Sequence, residues 1–330
     1  MRVYSERGYI DWVSWKPLYE WEDEWARAWG TEVIPLPNDL HAKLRRHIRQ
    51  FIHKLFPAKV WKYRITDPDK MGVLIVMDAE GYYMIENRNI IPIFLDFSMD
   101  MIDAIYRATR LLPVFFVASV DIYDALVKCG CTNVRYIAQC APDIYYSDEV
   151  PDKSVDVIQI GRRNSVLHEY MTRYCGDHPD VEYVFQSAGA SLHYMSSTRG
   201  DIGTLPGREE FTDMMRRARV SLVSSPRCDG CRDVFGGADL ITARFYESAV
   251  FYCHMLGRYT ENKETEGLNL ESVCPNVKSY EEFAARLDEY LMVSPAEYDW
   301  SVQRNFVRAN LASTRAEQIL HAIYDSYDRS

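Results

Sequence analysis

The sequence predicts an α/β protein with two domains, and three observations predict it. Five short runs, Met71–Met77, Ile90–Phe94, Pro113–Ala118, Val155–Ile160 and Val220–Val223, are almost purely apolar, as strands buried on both faces of a parallel sheet must be. Amphipathic stretches alternate with these runs, the arrangement expected of doubly wound domains. Polar residues follow the strand ends, where open α/β sheets receive their ligands. A polar segment, Asp143–Lys153, with Pro151 and several acids, divides the runs into two sets.

The bulk numbers narrow the function. The chain has 330 residues, 47% of them hydrophobic and 26% charged, enough for two ordinary cores. Its net charge of −10 argues against nucleic acid as the main ligand. No transmembrane helix is expected, and the charged N-terminus lacks the apolar core of a secretion signal, so a cytoplasmic location is expected, with possible peripheral contact at the inner face of the membrane. P-loop, nucleophile-elbow, HExxH and N-terminal GxGxxG patterns do not occur. Eight cysteines include one CxxC, Cys228 to Cys231; a zinc site usually needs a second pair, so reduced thiols are the better reading.

Taken in order, Trp21, Trp25 and Trp29 share one face of a helix from near Pro17 to Gly30, serving either as core or as a platform for a sugar or lipid-like acceptor. Thr31–Leu36 reads as a short strand. Residues 38–56 form an amphipathic helix with the apolar stripe Leu44, Ile48, Phe51, Ile52 and Leu55. From His41 to Thr66 there is no acid, so this helix either lies on an anionic membrane or is ordinary scaffold with solvated charges. The next strands end at Asp78, at Asp96 with Ser98 and Asp100 beyond it, and at Ser119 with Asp121. A helix at Ile122–Lys128 and a strand at Asn133–Ile137 close the first half.

In the second half, the strand Val155–Ile160 runs into Gly161-Arg162-Arg163-Asn164. A helix at Val166–Cys175, a strand at Val181–Gln186 and a helix at Phe211–Ala218 follow. The strand Val220–Val223 leads through a loop with Gly236-Gly237 into a helix carrying Ile241, Phe245 and Tyr252. Strand, glycine-bearing loop and helix N-terminus together make a phosphate-binding unit. Arg244 and Glu247, three apart, share a helix face. The cation can meet phosphate and the carboxylate can accept both hydroxyls of a ribose, so a nucleotide-bearing ligand is expected; an ordinary βα unit with a surface ion pair is the plain alternative. Arg258–Asn262 is expected to be a loop closing over the pocket. Three helices end the chain: one capped by Ser279 and Glu282, then Tyr298–Leu311 and Thr314–Tyr327.

These segments resemble GT-B glycosyltransferases. The residues that carry the resemblance are Ser224-Ser225-Pro226, Val234-Phe235-Gly236 and an acidic–x7–Glu pair, Asp239 and Glu247. The Gly161-Arg162 turn and the run that ends in Ala141-Pro142-Asp143 match as well. Asp239 stands where that family usually has Glu, and Val250–His254 replaces the usual Ala-Cys-Gly.

The resemblance implies two Rossmann-like domains facing each other, with C-terminal helices crossing back to the N-terminal domain. An acceptor domain would span residues 1–145, a donor domain 146–310, and a returning helix 311–330. It implies a metal-independent transferase, of retaining type, moving sugar from a nucleotide-sugar donor to a glycan, lipid-linked or small-molecule acceptor, as in polysaccharide biosynthesis. Donor contacts would come from Arg162, Arg163, Gly236, Gly237, Arg244, Phe245 and Glu247. Asp96, Asp100 and Asp239 are the catalytic candidates, with Asp121 beside them at a strand end. A non-catalytic nucleotide-sugar or partner-binding protein and a sugar-nucleotide epimerase stay open beside this reading. On this reading Glu247 is a ligand contact whose loss leaves the fold intact.

Overall fold

In a computed structural model, the structure describes residues 1–8, 10–55, 62–77, 89–187, 192–230 and 236–328, with side chains at 46, 50, 53, 54 and 328 excepted. The chain divides into two compact units. Unit 1 comprises Met1–Cys140, Val234–Leu240 and Ala312–Ser330; unit 2 comprises Ala141–Asp233 and Ile241–Leu311.

Unit 1 is built on a parallel sheet of strands β1 (Arg2–Ser5), β2 (Val33–Pro35), β3 (Gly72–Val76), β4 (Ile90–Phe94), β5 (Phe115–Val117) and β6 (Val134–Tyr136), in the order β2-β1-β3-β4-β5-β6. Every residue of β3 and β4 is buried, which is why both read as unbroken apolar runs. Pro92 is tolerated inside β4 because β5 pairs only with Ile93 and Phe94, so the missing N–H falls outside that ladder. Helices α1 (Lys16–Ala28), α2 (Leu40–Leu55), α3 (Ile102–Thr109), α4 (Val120–Lys128) and the C-terminal α11 (Ala312–Asp328) accompany the sheet. Leu74, Phe94, Ile105, Phe115 and Leu126 form its core, with Ala238 and Leu240 among them. Phe94 meets Phe97 edge-on at 4.8 Å, the favoured aromatic geometry.

The tryptophan face of α1 is core. Trp21 and Trp25 are buried, and the indole N–H groups of Trp25 and Trp29 donate to Ala312 O at 3.1 Å and Ala316 O at 3.2 Å. The C-terminal helix is therefore bound to α1 within unit 1.

Unit 2 carries a mixed sheet of β7 (Val155–Gln159), β8 (Tyr183–Gln186), β9 (His193–Ser196), β10 (Gly200–Thr204), β11 (Ala218–Ser224) and β12 (His254–Arg258), in the order β10-β9-β8-β7-β11-β12. The pairs β8–β7, β7–β11 and β11–β12 are parallel, whereas β8–β9 and β9–β10 are antiparallel. Helices α5 (Ser165–Asp177), α6 (Arg208–Arg217), α7 (Ala243–Val250), α8 (Lys263–Gly267), α9 (Tyr280–Met292) and α10 (Ser301–Ala309) complete it. The loop expected at Arg258–Asn262 is present after β12, and it ends in α8, started by a capping box between Asn262 and Thr265. No helix among the described residues is long and apolar enough to cross a membrane.

Candidate nucleotide site

In unit 2 the chain leaves β7 towards β8 on one side and reaches β11 on the other, so the loops after β7 and β11 flank a topological switch point. Open α/β sheets bind ligands there. The loop after β7 begins at Gly161, whose φ of +80° suits glycine. Asn164 then caps α5 by accepting from Leu167 N at 2.9 Å.

From the other side, Arg244 in the first turn of α7 reaches Gly161. Its Nη2 lies 3.0 Å from the point where a Cβ on Gly161 would stand, so any side chain there would crowd the guanidinium. The cation sits 4.3 Å from the Phe211 ring centroid. Its inner atoms, Nε and Nη1, are buried and make no hydrogen bond among the described residues, while 24% of the side chain remains open. Burial draws its pKa down and Glu247 opposes that.

Glu247 is 1% exposed, and Arg208 Nη1 lies 2.6 Å from its Oε1. That contact is an ion pair by distance, without the aim of a good hydrogen bond. Oε2 is 3.7 Å from Arg244 Nε, beyond hydrogen-bond reach. Two guanidinium groups, those of Arg208 and Arg244, thus stand against the Glu247 carboxylate in this partly buried cluster. Phe245, the next residue, is fully buried and serves as core; its ring meets Tyr259 at 6.0 Å.

Arg162 is exposed at the β7 turn, and the Arg163 guanidinium stands 5.9 Å from the Phe185 ring. Arg163 and burial together push the His168 imidazole down to about 4, burial contributing more. Beside this turn is a network that sequence reasoning missed. Asn164 donates to Asp229 at 2.8 Å, and Arg258 at the end of β12 donates twice to the same carboxylate, each at 2.6 Å. The Arg258 hydrogen bonds hold the Asp229 carboxyl below its usual range. This triad ties together the loops after β7, β11 and β12. Cys231 lies outside the described residues, so the CxxC reading does too.

The glycine loop and the carboxylates Asp96, Asp100 and Asp239 belong to unit 1. Gly236 has φ of +57°, and a Cβ there would stand 2.6 Å from Ser98 Oγ and 3.5 Å from Asp100 Oδ2. Asp239 is buried: its N–H donates to Asp121 Oδ2 at 2.9 Å, and its carbonyl accepts from Ser119 Oγ at 2.7 Å. Its own Oδ1 accepts from Leu240 N at 3.0 Å. So the structure gathers Asp100, Gly236 and Asp239 around the loops after β4 and β5, with Asp96 and Gly237 adjoining them in the chain. It gathers Arg244 and Glu247 with the Gly161 turn of unit 2. Val234 and Phe235 lie outside the described residues.

A further polar cluster stands at the switch point of unit 1, after β1. Ser5 Oγ donates to Glu22, and Arg7 Nη2 lies 3.1 Å from the same carboxylate. Burial pushes the Glu22 carboxyl up to about 8.

No family model and no curated protein sequence matches this chain. Solved structures do. A putative UDP-N-acetylglucosamine 2-epimerase from Listeria monocytogenes is similar with a TM-score of 0.50 and 10% identity, over 100% of this chain and 97% of that one. Accessory secretory protein 1,2 and 3 in Streptococcus pneumoniae is similar with a TM-score of 0.52 and 8% identity, over 87% of this chain and 58% of that one. The fold is GT-B. At such identities the likeness is one of fold alone, with two Rossmann-like domains each carrying a six-stranded sheet.

Proposed function

We propose that this protein acts on a nucleotide sugar and transfers its glycosyl group, with the diphosphate held in unit 2. The observation that carries the reading is Arg244: a guanidinium with two buried, unspent donors, set against the Gly161 turn at a switch point. The amides of the first turn of α7 and the helix dipole add to the same positive end. In glycosyl transfer, negative charge accumulates on the departing diphosphate. Fixed cations and amides that meet it lower the barrier, and one such donor is typically worth about 10²–10³ in rate. Arg162 and Arg163 extend the cationic edge at the β7 turn. Glu247 accepts from the ribose through Oε2 while Arg208 holds Oε1. Asp96 and Asp100 stand on the acceptor side. Asp239, spent on its own turn, shapes the loop. No metal is needed for this charge balance.

Sugar-nucleotide epimerisation is the second reading, favoured by the full-length fold likeness to a putative 2-epimerase. Thermal shift with UDP, GDP, ADP, CDP and dTDP tests the site. Ligand at 100 times its dissociation constant adds about 2.7 kcal/mol. The expected result is stabilisation by one of them, lost in Arg244→Met; no shift with any of the five overturns the reading. Incubating the cognate sugar nucleotide alone then separates the activities, since an epimerase converts it without an acceptor.

A further inference from the structure

The outward face of α2 is the reverse of what a scaffold helix shows. Leu40, Leu44, Ile48, Phe51 and Leu55 recur at spacings of four, four, three and four, so they form one stripe along the helix. A helix that packs on a sheet turns such a stripe inward. Here all five residues are between 48% and 80% exposed, while among the described side chains Ala42, Arg49 and Ile52 are the partly covered positions. The stripe runs for about 24 Å at 1.5 Å per residue. Asp39 caps the helix start by accepting from Ala42 N at 2.7 Å.

The charges flanking the stripe decide what covers it. Lys43 and His47 lie on one side of it on the helical projection, His41 and Arg45 on the other, and Arg49 farther round. No acid occurs from His41 to Thr66 although the chain carries a net charge of −10. Apolar side chains along the middle, basic ones at both margins and a local reversal of sign fit an anionic lipid surface, where the stripe enters the acyl boundary and the bases meet phosphate. Pairing with a second copy through this face would bring two basic helices together.

We propose that α2 is a peripheral membrane-docking helix that seats unit 1 on bilayers containing anionic lipid. The assignment is independent of which nucleotide sugar the protein uses. The test is co-sedimentation of the full chain with vesicles of phosphatidylcholine alone or of phosphatidylcholine with phosphatidylglycerol, at low and high salt. The parent is expected to pellet with the anionic vesicles, to stay in the supernatant with the neutral ones, and to be released by salt. Each basic residue near such a surface is worth about fivefold in affinity, so Lys43→Glu/Arg45→Glu/Arg49→Glu lowers binding by a hundredfold or more. Leu44→Ser/Phe51→Ser keeps every charge and is expected to lose binding as well; both side chains are exposed, so its unfolding curve should match the parent's. Failure of the parent to pellet with anionic vesicles at low salt overturns the proposal, as does full binding by Leu44→Ser/Phe51→Ser. Self-association that Phe51→Ser abolishes, without any vesicle binding, assigns the face to a second copy and also overturns it.

Discussion

Glu247→Ala separates a ligand contact from a structural ion pair. Read from the sequence, the substitution costs binding and spares the fold. The structure predicts otherwise, because Glu247 is the anion between Arg208 at 2.6 Å and Arg244 at 3.7 Å. Removing one partner of a buried pair typically costs about 3–5 kcal/mol. Arg208 is 13% exposed and Arg244 24%, so water recovers part of their hydration and the expected cost falls to about 3 kcal/mol. At a urea m-value of about 2 kcal/mol/M, the unfolding midpoint drops by roughly 1.5 M. Arg208→Met alone should also destabilise, and the double variant should lose less than the sum, with a coupling of about 1.5 kcal/mol or more. Glu247→Gln keeps the shape and tests the ribose contact by nucleotide titration. An unfolding midpoint for Glu247→Ala equal to the parent's would refute the ion-pair argument.

Two other outcomes are expected. The His254 ring lies between Tyr290 at 4.3 Å and Trp300 at 4.5 Å with Nε2 buried and without a hydrogen bond among the described residues, and burial, then Lys153 and Arg219, push it down to about 3. Its ordinary value is 6.5, so the stability it contributes is full above that pH and is lost as pH falls towards 3. By pH 5 the loss is about 2 kcal/mol, and urea curves of His254→Phe at pH 7 and pH 5 should lack that part of the change. Gly161→Ala should cost about 1–2 kcal/mol for its left-handed φ and displace Arg244, abolishing nucleotide-induced stabilisation. Gly176→Ala, in open space within α5, is the control, expected to gain about 0.5–1 kcal/mol. Equal thermal shifts in the parent and Gly161→Ala would count against the turn as a phosphate site.

What could be read from the sequence followed from burial on both faces. β3, β4, β7 and β11 are central strands, and their apolar runs announce them. β1 is central too, but with four residues and Ser5 buried beside Glu22 it offers no such run. The β9–β10 hairpin, His193–Ser196 and Gly200–Thr204, lies at the sheet edge, where few apolar residues are needed. The helix bearing Glu247 was readable in its middle and drawn too long at both ends, since Ile241 precedes its first residue, Ala243. Periodicity carried it through Tyr252, whereas that residue takes φ of 56° and α7 stops at Val250. Arg208 stands 39 positions before Glu247, and no local pattern links them. Asp229 likewise finds Arg258 only through the adjacency of β11 and β12. The outward turn of α2 was beyond reach for the same reason: periodicity gives the stripe but not its direction.

Unit 1 is assembled from segments that lie far apart in the sequence. The Trp25 and Trp29 indoles wait for carbonyls 287 residues downstream. Bringing such distant segments together costs about 5 kcal/mol in chain entropy, set against every contact that α11 makes. On the ribosome the first-made half therefore emerges with an aromatic flank uncovered until α11 has been synthesised. A chain cut before Ala312 keeps its β-strands but leaves that flank bare, making it a substrate for chaperones and proteases rather than a smaller working protein. The α1 flank is thus completed only by the seventeen residues of α11.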